Sequence, residues 1–238
     1  MNDLVFYHAI PSRGAVVRWM LEEVGEPYDV KLLNLKAGDG RKPDFLAISP
    51  QGKVPALVHR GEATTEVAAI CLYLADTFPK ARLGVPPGEP RRGRFLQWIV
   101  FNPSAIEPAM MDVKFPRQES PPPTAIGYRN LDTLLDVVVQ GLGRGPYLMG
   151  EQFTAADVVT GSGLRWGMLF GMIPERKELK DYVARLTARP AFQRAEDDLP
   201  GLFWTKLCER MDMQGAWQCR RSGSVGSRLL CCCARLKC

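Results

Sequence analysis

The spacing of apolar positions changes along this chain, and the change divides it in two. Leu4-Val5-Phe6-Tyr7 is a short β-prone run, broken by Pro11-Ser12-Arg13-Gly14. Val16, Val17, Met20, Leu21 and Val24 then recur at helical spacing as far as Gly25, a stop signal. The run from Tyr28 to Leu33 is β-prone again. Strand, helix, strand at this spacing predicts a parallel βαβ unit with a right-handed crossover. Strands near 56–59 and 62–64 predict a hairpin turning at Arg60-Gly61. A helix follows from about Glu66 to Phe78, with Ile70, Leu74 and Phe78 on one face.

Residues 79–92 hold four prolines and two glycines, which places a linker at 79–90. Everything after it reads helical. One helix is predicted over 91–112. Another carries Leu131, Leu134, Leu135, Val138 and Leu142 and ends near Gly141 or Gly143. A third opens with a capping-box variant, Thr154 answered by Asp157, with Phe153 and Val158 spaced as a hydrophobic staple. A last helix is predicted from about Pro174 to Ala188, closed by Pro190. The expected organisation is an α/β domain over 1–78, a linker, an all-α domain over 91–209 and a tail over 210–238.

Composition narrows the class. The 238 residues are 46% hydrophobic and 24% charged, as in an ordinary globular protein. No apolar run approaches the ~18 residues of a membrane helix. The first twenty residues carry Asp3, His8, Arg13 and Arg18, so a secretory signal is not expected. The formal net charge of +5 is local: six of 31 basic residues and one of 26 acidic residues fall in 210–238, leaving 25 of each before it. The charge balance of the body of the chain therefore gives no reason to expect nucleic acid or a membrane as a partner. Five of the seven cysteines also lie in that tail, and the remaining two, Cys71 and Cys208, fit a reducing cytoplasmic compartment. The tail reads as a disordered extension, since Arg220 to Ser227 is polar and breaker-rich. No HExxH, spaced CxxC pair or Gly-rich phosphate loop occurs, so no metal is expected.

Three segments carry chemistry. Ser12, with Arg13 beside it, precedes the first helix. Ser49-Pro50-Gln51-Gly52-Lys53-Val54-Pro55-Ala56-Leu57 leads into the hairpin. Thr65-Glu66-Val67-Ala68-Ala69-Ile70, followed by Tyr73-Leu74, opens the next helix. With the capping box and the helical second half, residues 4–200 resemble a cytosolic glutathione transferase of the bacterial, serine-dependent type. That resemblance implies a thioredoxin-like N-terminal domain and an all-helical C-terminal domain. It also implies a cytoplasmic homodimer in detoxification, with glutathione as co-substrate and a small hydrophobic electrophile as acceptor.

The residues fit that chemistry individually. A free thiol has a pKa of about 8.5, and lowering it by two units takes about 2.7 kcal/mol of thiolate stabilisation. A Ser12 hydroxyl at a helix N-terminus can supply much of this, although a serine there also serves as a plain helix cap. Tyr7 is the competing donor, and otherwise an ordinary strand aromatic. His8 could polarise the site. By the resemblance, Val54 ahead of a cis Pro55 offers its backbone to the cysteinyl part of glutathione, and Lys53 reaches the glycyl end. Glu66 and the free N–H groups beside it suit the γ-glutamyl ammonium and carboxylate. Val67 departs from the pattern, standing where a serine is expected to bind that carboxylate. Ser12 and Arg13 complete the glutathione site. Trp98, Phe101, Met110, Met111, Phe115 and Trp166 are the candidates for the electrophile pocket, although such residues at helical spacing are also core material. Rivals are a glutathione-dependent isomerase or dehalogenase, and a non-catalytic binding protein on the same scaffold. A thiol-disulfide oxidoreductase would need a cysteine in the 10–14 turn, and there is none.

Overall fold

A computed structural model of the chain describes residues 2–119 and 121–197. The expectations for the tail at 210–238 therefore lie outside the described residues. Strand β1 (Leu4–His8) leads through helix α1 (Gly14–Val24) to strand β2 (Asp29–Leu32), which pairs parallel to β1. A single turn, α2 (Pro43–Leu46), precedes the hairpin of β3 (Ala56–His59) and β4 (Glu62–Thr65), and α3 (Val67–Thr77) follows. The sheet order is β2-β1-β3-β4, with β3 antiparallel to both neighbours. This is the thioredoxin-like arrangement expected from the β-α-β and β-β-α order.

Local chemistry sets the punctuation. Gly25 takes a left-handed conformation, φ 76°, and its N–H returns to the Leu21 carbonyl, ending α1. Arg60 and Gly61 both have positive φ, which gives the hairpin turn the twist that two antiparallel strands need. Along β1 the burial alternates: Leu4, Phe6 and His8 face the core, while Val5 and Tyr7 are half-buried on the other face. Val17, Met20 and Leu21 of α1 join Ile70, Cys71 and Leu74 of α3 over Phe6 and Leu57. Burial pushes the Cys71 thiol up, so it packs as a small hydrophobe.

The joining segment is packed down: Leu83 and Val85 are buried, and the Leu83 carbonyl accepts the Ala155 N–H. The second half is helical, as expected, with three differences of detail. The helix predicted over 91–112 is broken into α4 (Arg92–Phe101), a π turn over Asn102–Ile106 and α5 (Glu107–Lys114). Pro103 and Pro108 have no N–H to donate, and the wider turn between them accommodates the missing bonds. Within that turn Ser104 Oγ donates to the Val100 carbonyl. Then come α6 (Leu131–Leu142), capped by Asn130, and α7 (Ala155–Leu169). Helix α8 (Lys177–Thr187) starts three residues later than expected. Pro190 ends α8 but also opens a further helix, α9 (Pro190–Asp197), which packs on α1.

Helix α7 runs through the middle of this half. Its capping box is present: Asp157 Oδ2 accepts from the Thr154 N–H at 2.8 Å and from Thr154 Oγ1 at 3.1 Å. Asp157 Oδ1 accepts from the Leu148 N–H at 2.9 Å and the Tyr182 hydroxyl at 2.8 Å, so one buried carboxylate ties α7 to α8 and to the loop before it. Burial pushes that carboxyl up, and the four donors work against the shift. Phe153 and Val158, the expected staple pair, are both buried.

Candidate functional site

The sheet register brings three connections to one end of the sheet. Tyr7 pairs with Ala56, and Ala56 pairs with Thr65. The segment leaving β1, the segment entering β3 and the segment leaving β4 therefore start side by side. These are the three segments singled out in the sequence.

The first connection contains a cis Ile10–Pro11 bond and then Ser12. Ser12 Oγ accepts the Gly14 N–H at 3.0 Å, so the serine does cap the first turn of α1. Capping uses only an acceptor lone pair, so the hydroxyl proton stays available. Oγ also lies 3.4 Å from His8 Nδ1. His8 is 3% exposed and stacks on Phe6. Burial, aided by the Arg18 charge, pushes its pKa down to about 4, so the imidazole is neutral near pH 7. Tyr7 points elsewhere: its hydroxyl accepts from Lys31 Nζ at 3.2 Å, and its ring packs on Phe45.

In the second connection, Ser49 clamps the loop. Its hydroxyl donates to the Lys53 carbonyl at 2.9 Å and accepts the Lys53 N–H at 3.4 Å. Lys53 is exposed. The Val54–Pro55 bond is cis, and among the described residues the Val54 main-chain N–H and C=O have no hydrogen-bond partner. Pro55 is buried beneath them. The third connection is Glu66 alone, with φ 68° and ψ 123°, a conformation that L-residues rarely adopt. Its carbonyl accepts the Ile70 N–H, and the N–H groups of Val67, Ala68 and Ala69 open the helix with no intrahelical acceptor. Gln51 Nε2 donates to Glu66 Oε1 at 3.5 Å, linking the second and third connections. Val67 is half-buried against the core.

A second cluster joins this end of the sheet to the helical half. Arg13 Nη1 lies 3.4 Å from Glu107 Oε1, and the guanidinium sits over the Trp166 ring, 5.0 Å from its centre. Asn102 Nδ2 donates to the same Glu107 oxygen at 2.9 Å. A Cβ at residue 163 would meet Asn102 Oδ1 at 2.0 Å, so Gly163 is what lets α7 approach the π turn. Arg13 thus faces the helices. Trp166 stands beside it, its ring tilted against Phe170.

The other pocket candidates differ in position. Trp98 and Met110 are buried packing groups, lying against Gly141 and Gly167 respectively. Phe101 meets Trp98 edge-on and is half-buried. Met111 and Phe115, at 38% and 69% exposed, stand out on the surface of α5 and just beyond it. Sequence reasoning missed Asn102 and Glu107. Neither sits in a motif, and each takes its meaning from Arg13, far away in the chain. Gln51 was inside a recognised motif but had no role. Among the described residues, no group of three or more His, Cys, Asp or Glu side chains could hold a metal ion, and no helix is long and apolar enough to cross a membrane.

Comparison with known proteins agrees with this geometry. Residues 14–77 match the model of the glutathione S-transferase N-terminal domain. Over 209 residues the chain is 28% identical to glutathione S-transferase 3 of Zea mays, covering 81% of this chain and 93% of that relative. It superposes on a glutathione transferase from Methylococcus capsulatus with TM-score 0.68 at 29% identity, covering 82% of this chain and 98% of that one. A glutathione transferase family member from Pseudomonas fluorescens, solved with two glutathione bound, gives TM-score 0.63 at 29% identity, with 81% and 91% covered. In sequence and fold the chain is similar to glutathione transferases.

Proposed function

We propose that this chain binds glutathione across the three connections and ionises its thiol at Ser12 for attack on a small electrophile. The observation that carries this reading is the register: one end of the sheet gathers a serine at a helix N-terminus, an unpartnered Val54 backbone, and Glu66 at the mouth of α3. An extended peptide laid across that end of the sheet pairs its cysteinyl backbone with the free Val54 N–H and C=O, in the manner of strand addition. Its γ-glutamyl carboxylate meets the free N–H groups opening α3, and its ammonium meets Glu66. Gln51 holds the Glu66 carboxylate in place, and Lys53 faces the glycyl carboxylate.

The cysteinyl sulfur then lies near Ser12. Its proton leaves to solvent, and the Ser12 hydroxyl donates a hydrogen bond to the resulting thiolate. A hydrogen bond to a charged group contributes about 1.5–3 kcal/mol. The positive end of α1 adds up to about 1 kcal/mol. Together these reach the about 2.7 kcal/mol needed to bring the thiol pKa two units down. With an aryl halide, the sulfur lone pair forms the new C–S bond, and halide leaves with the electron pair of the broken bond. Trp166, whose ring lies beneath the Arg13 guanidinium, is assigned to the acceptor side.

The test is retention on immobilised glutathione, followed by aryl-halide turnover and thiolate absorbance of the bound tripeptide. Ser12→Ala is expected to keep retention and lose about ten- to a hundredfold in turnover near neutral pH. Retention without turnover in the unmodified protein would support a binding protein instead. Val67 supplies no hydroxyl to the γ-glutamyl carboxylate, which is expected to weaken retention about ten- to a hundredfold relative to a serine there. No retention at all would sink the glutathione reading.

A further inference from the structure

We infer that His8 is the positioning residue for Ser12, carrying its single proton on Nδ1 and donating it to Ser12 Oγ, so that the serine's own proton is directed away from the protein. The structural half of this inference stands by itself. Its catalytic half rests on the proposed thiol activation.

The argument begins with what each atom can do. A neutral imidazole has one donor nitrogen and one acceptor nitrogen. His8 Nε2 is buried and has no hydrogen-bond partner among the described residues, whereas Nδ1 faces Ser12 Oγ at 3.4 Å. A proton on Nε2 would be a buried N–H with no acceptor, and orphaned N–H groups are rarer in proteins than orphaned lone pairs. It would also turn Nδ1 into an acceptor and consume the Ser12 proton. A proton on Nδ1 leaves only a bare lone pair buried and reaches an oxygen able to receive it. The Arg18 charge and the burial that hold the ring neutral keep the choice to these two tautomers.

With Nδ1 as donor, both lone pairs of Ser12 Oγ are filled, one by the Gly14 N–H at 3.0 Å and one by His8. The hydroxyl proton then has no acceptor in the turn, and the serine is left as a pure donor. Hydrogen bonds received by a hydroxyl also polarise it and strengthen the one it gives. The chain makes room for this arrangement. A Cβ at residue 14 would stand 2.0 Å from His8 Nδ1 and 3.0 Å from Ser12 Oγ, so only glycine leaves room for the ring and the hydroxyl to meet against this turn. Stacking on Phe6 fixes the plane of the ring.

The experiment has two arms on the full-length protein. Nitrogen-resolved imidazole spectra of the free protein contain two histidines, His8 and His59, and His8→Asn identifies the first. A neutral Nδ1–H tautomer for His8 is expected, and an Nε2–H tautomer overturns the inference whether or not glutathione binds. The second arm measures aryl-halide kinetics with and without Ser12. His8→Leu is expected to lower kcat about two- to tenfold with little change in the KM for glutathione. His8→Asn, which retains a side-chain N–H near the place of Nδ1, restores most of it. In a Ser12→Ala background, His8→Leu should cost nothing further. Equal losses in the two His8 variants, or an undiminished loss without Ser12, would show a merely structural ring. Failure of the unmodified protein to retain glutathione would overturn the proposed function and leave the tautomer result standing.

Discussion

Replacing Asp157 by asparagine changes one atom, and the surroundings fix what that change costs. The carboxylate receives four hydrogen bonds, two on each oxygen, and each oxygen serves one main-chain N–H and one hydroxyl. An amide can keep only one oxygen. If its NH2 takes the side of Leu148 and Tyr182, the tyrosine hydroxyl can turn and accept, but the Leu148 N–H is orphaned. If it takes the side of Thr154, the threonine hydroxyl can turn, but the Thr154 N–H is orphaned. Either way one buried main-chain donor is lost, at about 1–3 kcal/mol, and two charge-assisted bonds become neutral ones. A total near 2–4 kcal/mol follows, or roughly 4–15 °C in Tm for a chain of this size. Asp157→Ala orphans both N–H groups and both hydroxyls, so it must cost more than the amide. Urea unfolding followed by far-ultraviolet circular dichroism reads both variants against the parent. A midpoint for Asp157→Asn within about 0.5 kcal/mol of the parent, or an alanine variant no worse than the asparagine, would refute the account.

Other expectations follow from the same geometry. His8 has a folded-state pKa of about 4, below its ordinary 6.5, so the unfolded chain takes up its proton first as pH falls. His8-linked stability is therefore whole above about pH 6.5 and is lost between there and pH 4, up to about 3 kcal/mol. Denaturant midpoints against pH should show that slope, and His8→Leu should remove it. Glu66→Gly relieves a left-handed backbone, so it should raise stability by about 1 kcal/mol while weakening retention on glutathione at least tenfold. A variant that gained or lost both together would contradict the assignment of Glu66. Glu107→Gln breaks a half-exposed ion pair and should move the unfolding midpoint by less than about 1 kcal/mol, yet raise the KM for the aryl halide more than that for glutathione.

Much of the architecture is determined locally, and that is why it is legible. Gly25 stops α1 because the Cβ-free residue tolerates positive φ, Arg60-Gly61 turns the hairpin, and Thr154 with Asp157 opens α7. Each signal acts within a few residues, and the alternation along β1 or the spacing along α6 reports which face is buried without any knowledge of the partner. Where two local readings compete, the sequence falls short. Pro190 looked like a terminator and is also the first residue of α9, because the segment after it can bury an apolar side against α1. The prolines at 103 and 108 lie inside a helical pattern, and only packing of the π turn under α7 shows that the chain widens its turn there.

The candidate site divides in the same way. The residue types of Ser12, Val54, Pro55 and Glu66 are visible in motifs, since backbone turns and helix starts need them at those spacings. That they stand side by side is a property of strand register, Tyr7 to Ala56 to Thr65, which no single segment contains. The approach of His8 to Ser12 depends on the missing Cβ of Gly14, and the reach of Arg13 to Glu107 on how α5 is laid against the first domain. Sequence alone determined which groups could do chemistry. Tertiary structure decided which of them meet, because contact between residues remote in the chain is set by how faces pack and leaves no periodic trace in either partner.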